Sequence, residues 1–206
     1  MRKAILRLKR GSAPGIDGLT ADLFLLLVDD AKFIEQLQAL FYEWHREGQM
    51  GEASRTAVMS TMYKNKGERS DWAMYRPVSV TTILYRIYGG CLEQCLARAM
   101  PFIIGDSQVG YARKRKLDEN VNLVTEVIRY LDNDAPSEGG LLLMLDKNMK
   151  AFDRVQWPFM FAALEAFGLP PDFVSAVRVM YADVQTAVKT NGVCGALGTV
   201  RASQNL

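Results

Sequence analysis

The amino-acid sequence predicts a helix-rich α+β fold. Over most of the chain, apolar residues recur at three- and four-residue steps, which is the spacing of amphipathic helices. Three shorter stretches are rich in β-branched, aromatic or other apolar residues and lie between turn-forming or polar segments, as strands do. With 206 residues, 49% hydrophobic and 23% charged, the chain is long enough for one domain or two small subdomains.

The first elements are a turn-rich loop and one or two helices. Residues 11–18 contain a Pro-Gly pair and an Asp-Gly pair, which require turns. Thr20 offers a side-chain oxygen as an N-cap, and helical periodicity runs from residue 21 to about residue 47, where Gly48 can end a helix. The pattern fits one long helix or two helices with a break near Asp29.

The next part of the chain predicts a strand that ends in a basic segment. Residues 55–63 are rich in Val, Met, Thr and Tyr, which favours a strand, and the polar residues 64–69 follow directly. Pro77 restricts the residue before it to extended backbone, so residues 75–77 are also expected to be extended. Basic side chains therefore lie at the end of a strand.

The remaining pattern predicts four helices and two strands. The first helix should end at Pro101, and its Gly89–Gly90 pair weakens it in the middle. The unbroken apolar run 141–145 predicts a strand buried on both faces. The helices are expected over residues 80–100, 118–131, 157–167 and 172–181, and a last short strand over 186–190.

Charge and cysteine content limit the class of protein only loosely. The net charge of +2 is too small to indicate nucleic-acid binding by itself. Three cysteines form an odd and sparse set, which argues against a secreted disulfide framework. Because the chain has a charged N-terminus and no run of about 18 apolar residues, we expect neither a secretory signal nor a membrane span. The expected location is intracellular, in the nucleus or the cytoplasm.

Asp146 is the acidic residue whose position most suggests chemistry. It directly follows Leu-Leu-Leu-Met-Leu, and a carboxylate at the end of such a strand must be solvated, paired or bound to a metal. It is therefore a candidate metal ligand. The alternative is a capping or ion-paired Asp, which the spacing alone favours, and Asp153 has the same two interpretations.

Five short blocks occur in a fixed order along the chain. They read Ala-Pro-Gly-Ile-Asp-Gly at 13–18, Tyr-Lys-Asn-Lys-Gly at 63–67, Tyr-Arg-Pro-Val-Ser at 75–79, Gln-Val-Gly-Tyr at 108–111 and Lys-Ala-Phe-Asp-Arg-Val at 150–155. With these blocks the chain resembles the reverse transcriptase domain of non-LTR retrotransposons, over nearly its whole length. Group II intron-like reverse transcriptases have a similar layout.

The resemblance implies a fold, cofactors and partners. It implies a right-hand polymerase, with a fingers-like region over residues 1–135 and an incomplete palm over 136–206. Such enzymes hold two Mg²⁺ ions through carboxylates, one activating the primer hydroxyl and one steadying the triphosphate. The implied partners are an RNA template, a DNA primer and dNTP, and no membrane.

The resemblance also implies roles for residues around the nucleotide. Asp146 matches the first metal-binding Asp of the family, and Lys64 and Arg76 match the basic residues that bind the incoming triphosphate, with Lys66 as a neighbour. Phe152 matches the bulky residue that rejects a ribose 2′-hydroxyl. The alternatives are solvated strand-end charges for the basic residues and an ordinary core residue for Phe152.

A basic run and the first loop are expected to lie along the template backbone. Lysine and arginine there would neutralise phosphates without reading sequence. Taken alone, such a charge run is more often a solvated surface. The loop covers residues 12–18, and the run consists of Arg113, Lys114, Arg115 and Lys116.

The sequence departs from the family at the catalytic blocks. Six residues separate Asp146 from Asp153 where the family has five, so an alignment on Asp153 places Lys147 at the metal position. Residues 199–206 keep little of the next block, and the chain stops before later ones. Tyr-Ala-Asp-Val at 181–184 is not the family's Asp-Asp signature, because it lies too early and at a helix end. We therefore expect a fragment that does not polymerise alone, or a non-catalytic nucleic-acid-binding remnant.

Overall fold

The computed structural model describes residues 1–105, 108–110, 115–133, 155–190 and 192–200, and within them the chain is α+β, as predicted. The chain divides into two compact units. Unit 1 consists of Met1–Gln94 and Val155–Leu206, and unit 2 of Cys95–Arg154. The division into fingers at 1–135 and palm at 136–206 stays a prediction. No described helix is long and apolar enough to cross a membrane.

Unit 1 begins with three helices: α1 Arg2–Ile5, α2 Ala21–Leu26 and α3 Ala31–Glu47. The predicted region 21–47 is thus two helices with the break near Asp29. Asp30 begins α3, since its Oδ1 accepts the Phe33 N–H at 3.0 Å. Gly48 ends α3 with a φ of 72°, a left-handed conformation that glycine adopts without steric cost.

A four-stranded sheet is built from the described strands, in the order β2-β1-β3-β4. β1 pairs antiparallel with β2 and parallel with β3, and β3 pairs antiparallel with β4. The short helix α4 Glu52–Arg55 leads into β1, and a 3₁₀ turn at Trp72–Met74 leads into β2. The strands are β1 Thr56–Tyr63, β2 Tyr75–Val80, β3 Gln185–Thr190 and β4 Val193–Thr199.

The predicted strands at 55–63 and 186–190 are confirmed as β1 and β3, whereas β4 is a strand that the sequence pattern does not predict. Two glycines, Gly195 and Gly198, lie inside it and weaken the strand signal. The strand at 141–145 lies outside the described residues.

The long helix α5 Ile83–Ile103 continues through Pro101, so the prediction that it ends there is wrong. Pro101 has no N–H and so lacks the backbone hydrogen bond of its position, but the Ile104 N–H still donates to the Met100 carbonyl at 3.1 Å, which continues the helical pattern past the proline. The glycine pair in its middle allows close packing. A Cβ on Gly89 would lie 3.0 Å from Met180 Cε, and one on Gly90 would lie 3.2 Å from Ala4 Cβ.

The other helices are α6 Leu117–Asn133 in unit 2, and α7 Trp157–Ala166 and α8 Pro171–Tyr181 in unit 1, which confirms all three predicted segments. The main core of unit 1 lies between α5 and the helices α1, α2, α3 and α8. Its buried residues are Ala4, Ile5, Ala21, Phe24, Val28, Leu37, Phe41, Trp44, Met50, Ile83, Ile87, Tyr88 and Val179.

Candidate functional site

The β1–β2 hairpin brings together the basic residues expected at the nucleotide. Arg76 pairs with Met62 across the two strands, and the Lys64 N–H donates to the Met74 carbonyl at 2.8 Å. Paired residues share a face of a sheet, and side chains two positions apart along a strand also share one. Lys64 and Arg76 therefore lie on the same face of the hairpin, which we call the basic face.

The turn after β1 has a backbone that its sequence favours. Asn65 and Gly67 have φ values of 55° and 74°, and these are residue types that tolerate the left-handed region. A side chain on Gly67 would meet the Met74 Sδ atom at 2.5 Å. The turn holds Lys66 exposed between these two residues.

The three cations of the hairpin differ in their partners. Lys64 is half-buried, and its Nζ donates to the Ala73 carbonyl at 2.6 Å. The exposed side chains of Lys66 and Arg76 make no hydrogen bond or ion pair with the described part of the chain. Lys64, which is held in place, and the two cations without a partner in the described part of the chain can together bind an anion with several negative charges, such as a polyphosphate.

The opposite face of the same hairpin carries aromatic side chains. Tyr63 and Tyr75 are cross-strand partners with ring centroids 5.4 Å apart, and Trp72 lies 5.7 Å from Tyr75. The Arg69 guanidinium carbon lies 5.3 Å from the Tyr63 centroid, within cation–π range. We call these four residues the aromatic face. This face is not predicted above, although the aromatic residues on both sides of the polar segment 64–69 are a signal for it in the sequence.

The loop at residues 12–18 is fixed to the start of α5 by Arg86. Its Nη2 donates to the carbonyls of Ala13 at 3.1 Å and Thr81 at 2.9 Å, and Nη1 to Ser12 Oγ at 3.4 Å. A Cβ on Gly15 would lie 2.6 Å from Thr82 Cα, so the loop backbone lies directly against the residue that precedes α5. The loop is thus an ordered, hydrogen-bonded part of unit 1. Its contact with a template stays a prediction.

Only part of the predicted basic run lies within the described residues. Arg115 Nη1 donates to the carbonyls of Gly105 and Gln108, at 2.5 and 2.8 Å, so it holds the backbone before α6. Lys116 is exposed just before that helix. Arg113 and Lys114 lie outside the described residues.

The predicted catalytic residues Asp146 and Phe152 also lie outside the described residues, as do Lys147 and Asp153. In the part of the chain that the structure describes, no three His, Cys, Asp or Glu side chains are grouped so that they could hold a metal ion. The Asp of the 181–184 segment has a different role. Asp183 Oδ2 accepts a hydrogen bond from Arg55 Nη1 at 2.6 Å, directly after α8.

Comparisons with known proteins identify a similarity to a transposon protein. No family model matches the chain. The chain is 27% identical over 191 residues to the transposon TX1 uncharacterized 149 kDa protein of Xenopus laevis. The matched region covers 93% of this chain and 14% of that protein. The chain is therefore similar to a small part of a protein encoded by a transposable element.

Proposed function

We propose that the chain is part of an RNA-directed DNA polymerase of a non-LTR retrotransposon, and that it carries the part that binds the triphosphate of the incoming dNTP. The five ordered sequence blocks support this proposal, and so does the similarity to a transposon protein over 93% of the chain. Within the parent enzyme the reaction is nucleotidyl transfer to a primer hydroxyl, with an RNA template.

The observation that carries the proposal is the common face of Lys64 and Arg76. A triphosphate needs fixed cations, because its charge shifts between oxygens as the bond to the leaving group breaks. The Lys64 ammonium uses one of its three donors on the Ala73 carbonyl, which orients it and leaves two donors for phosphate oxygens. The Arg76 guanidinium can bind two phosphate oxygens side by side.

For the catalytic centre, the proposal rests on the family resemblance alone. Asp146 would provide one carboxylate ligand for Mg²⁺, and Phe152 would lie against the deoxyribose. Bound Mg²⁺ supplies Lewis-acid stabilisation of phosphoryl charge in such enzymes. Because one carboxylate is too few for the family's two-ion site, the chain alone is proposed to bind nucleotide without extending a primer.

Nucleotide binding tests the triphosphate site. A fluorescent dNTP analogue is titrated into the purified chain, into Lys64→Gln and Arg76→Gln variants, and into Lys32→Gln as a matched control. Lys32 is an exposed lysine on α3 and is not part of the hairpin. Each hairpin variant should bind about tenfold more weakly, the cost of one charge-assisted hydrogen bond, and the control should match the wild type. Equal affinities for all four proteins would contradict the proposal.

Primer extension tests the expected lack of polymerase activity. The chain is incubated with an RNA template, a DNA primer, dNTPs and Mg²⁺ or Mn²⁺, beside an Asp146→Ala variant. We expect no extension above that variant. Extension by the wild type that Asp146→Ala abolishes would show that the chain holds a complete catalytic centre, and the inactive assignment would then be wrong.

A further inference from the structure

The carbonyl that binds the Lys64 ammonium belongs to a short 3₁₀ turn. Lys64 Nζ donates to the Ala73 carbonyl at 2.6 Å, and Ala73 is the middle residue of the turn at Trp72–Met74. The contact links the residue after β1 to the segment that leads into β2. The direction of the Lys64 side chain therefore depends on where the turn holds the Ala73 carbonyl.

Asp71 holds this turn from the position before it. Its Oδ1 accepts the Ala73 N–H at 2.8 Å, and its backbone carbonyl accepts the Met74 N–H at 3.0 Å. A 3₁₀ turn of three residues has poor hydrogen-bond geometry of its own, so a capping side chain adds much to its stability. Ala73 is thus bound on both sides, through its N–H to Asp71 and through its carbonyl to Lys64.

Asp71 reaches Lys64 through the backbone of Ala73 and not through an ion pair. Among the described residues, the Asp71 carboxylate forms no ion pair with Lys64 or with another cation. A carboxylate near a site for an anion weakens binding by repulsion when its charge acts alone. The charge of Asp71 and its hold on the turn therefore predict opposite effects on the affinity of an anion at Lys64.

We propose that Asp71 is a positioning residue of the triphosphate site, and that it holds the Lys64 ammonium in place through Ala73. The inference rests on the proposed function and adds to it a residue that contacts no phosphate itself. While the turn is formed, one Lys64 donor is used on Ala73 and two stay free for phosphate oxygens. Without the cap the ammonium gains conformational freedom, which a bound phosphate has to restrict again.

Binding of inorganic tripolyphosphate measures this role, because the probe has the charges of a triphosphate without a base or a sugar. It is titrated as a competitor of the fluorescent dNTP analogue on the full chain. Asp71→Ala should weaken its binding about fivefold, the usual effect of losing a capping side chain. Asp71→Asn removes the same charge but keeps a capping oxygen, so it should bind like the wild type.

Glu68→Ala is the matched control. It removes a carboxylate from the same exposed segment, and the Glu68 side chain makes no hydrogen bond to the 3₁₀ turn in the described part of the chain. This variant should not weaken tripolyphosphate binding. Tighter binding by Asp71→Ala would overturn the inference, because the charge of Asp71 would then outweigh any positioning. A loss in Asp71→Asn as large as in Asp71→Ala would overturn it too.

A double-mutant cycle shows whether Asp71 acts through Lys64. In a Lys64→Gln background, Asp71→Ala should have no further effect on tripolyphosphate binding, because the group that Asp71 positions is gone. An equal effect in both backgrounds would contradict the inference. The turn would then act on the ligand by another route, or the hairpin would have unfolded.

The Lys64→Gln variant also separates this inference from the proposed function. If Lys64→Gln binds tripolyphosphate as well as the wild type, the triphosphate site is wrong and the positioning role fails with it. If Lys64→Gln binds about tenfold more weakly and Asp71→Ala is unchanged, the triphosphate site stands and only the role of Asp71 is wrong.

Discussion

Arg55 and Asp183 form an ion pair, with 2.6 Å between Nη1 and Oδ2, at the point where the parallel strands β1 and β3 begin. Arg55 lies at the end of α4 and its side chain is 21% exposed, so the pair is less screened than most surface pairs. Asp183 has a φ of 47°, in the left-handed region. The pair therefore joins two strands that are far apart in sequence, and this Asp is structural.

Replacing Asp183 should destabilise unit 1 to an extent that depends on the substitute. Asp183→Ala removes the pair and places an alanine in left-handed backbone, so we expect a loss of about 2 kcal/mol in unfolding free energy. Asp183→Asn tolerates that backbone and should lose about half as much. Urea unfolding measures both values. Asp29→Ala is the control, since Arg2 and Asp29 pair at 58% and 88% exposure and should contribute little. Equal losses for all three variants would contradict the prediction.

Gly15 cannot accept a side chain in the observed loop. A Cβ there would lie 2.6 Å from Thr82 Cα and 2.7 Å from Thr82 N, which are backbone atoms that cannot rotate away. Gly15→Ala should therefore lower the unfolding free energy by about 1–3 kcal/mol. The matched control is Gly51→Ala, because Gly51 has a φ of −58° and its Cβ would lie 4.0 Å from the nearest atom outside its chain neighbours. Thermal unfolding of the two variants should differ by several degrees, and identical midpoints would show that the loop does not pack there.

Arg86 should order the loop at residues 12–18 more than it stabilises the whole unit. Its guanidinium binds two backbone carbonyls and one hydroxyl, a pattern that a lysine ammonium cannot reproduce from one point. In Arg86→Lys we expect about tenfold faster hydrogen exchange in the loop, with little change in α3. Exchange followed by mass spectrometry measures this difference. Arg98→Lys is the control, because Arg98 is an exposed arginine on the same helix. A uniform rise across unit 1 would mean that Arg86 supports the core.

Much of the fold could be predicted from residue periodicity, and the exceptions have local causes. Helices α3, α5 and α6 keep their apolar period over several turns, so a few glycines or a terminal proline do not hide them. Strand β4 contains Gly195 and Gly198 and has β-branched residues only at its two ends, so its strand propensity is low. It forms because β3 offers a pairing edge across a two-residue connection in which Gly192 has a φ of 85°.

The candidate site was only partly predictable, because it depends on how two strands pair. The sequence blocks indicate Lys64 and Arg76 separately, and the pairing of Met62 with Arg76 is what places them on one face. That register also places Tyr63 opposite Tyr75 on the other face. Sequence order alone does not contain this cross-strand register, which depends on the length and backbone of the turn between the strands.

The buried Tyr88 hydroxyl should make the unfolding free energy of unit 1 fall at high pH. Tyr88 is 5% exposed, packs edge-on against Phe41 at 5.2 Å, and donates to the Ala176 carbonyl at 3.2 Å. Burial, with a smaller contribution from Cys91, raises the pKa of Tyr88 from 10.0 to about 12. The folded chain therefore keeps a proton that the unfolded chain loses first. The stabilisation is complete below pH 10 and is lost as the pH rises through about 12.

Replacing Tyr88 with phenylalanine should remove this pH dependence. Between pH 10 and 12, the unfolding free energy of the wild type should fall more steeply than that of Tyr88→Phe, by up to about 1.4 kcal/mol per pH unit. Urea unfolding at several pH values measures the difference. Burial also raises the pKa of Tyr85, but Tyr85 is present in both proteins, so its contribution cancels in the difference. At neutral pH the variant loses only the hydrogen bond to Ala176, about 1 kcal/mol. Parallel curves up to pH 12 would mean that the Tyr88 hydroxyl is solvated in the folded chain.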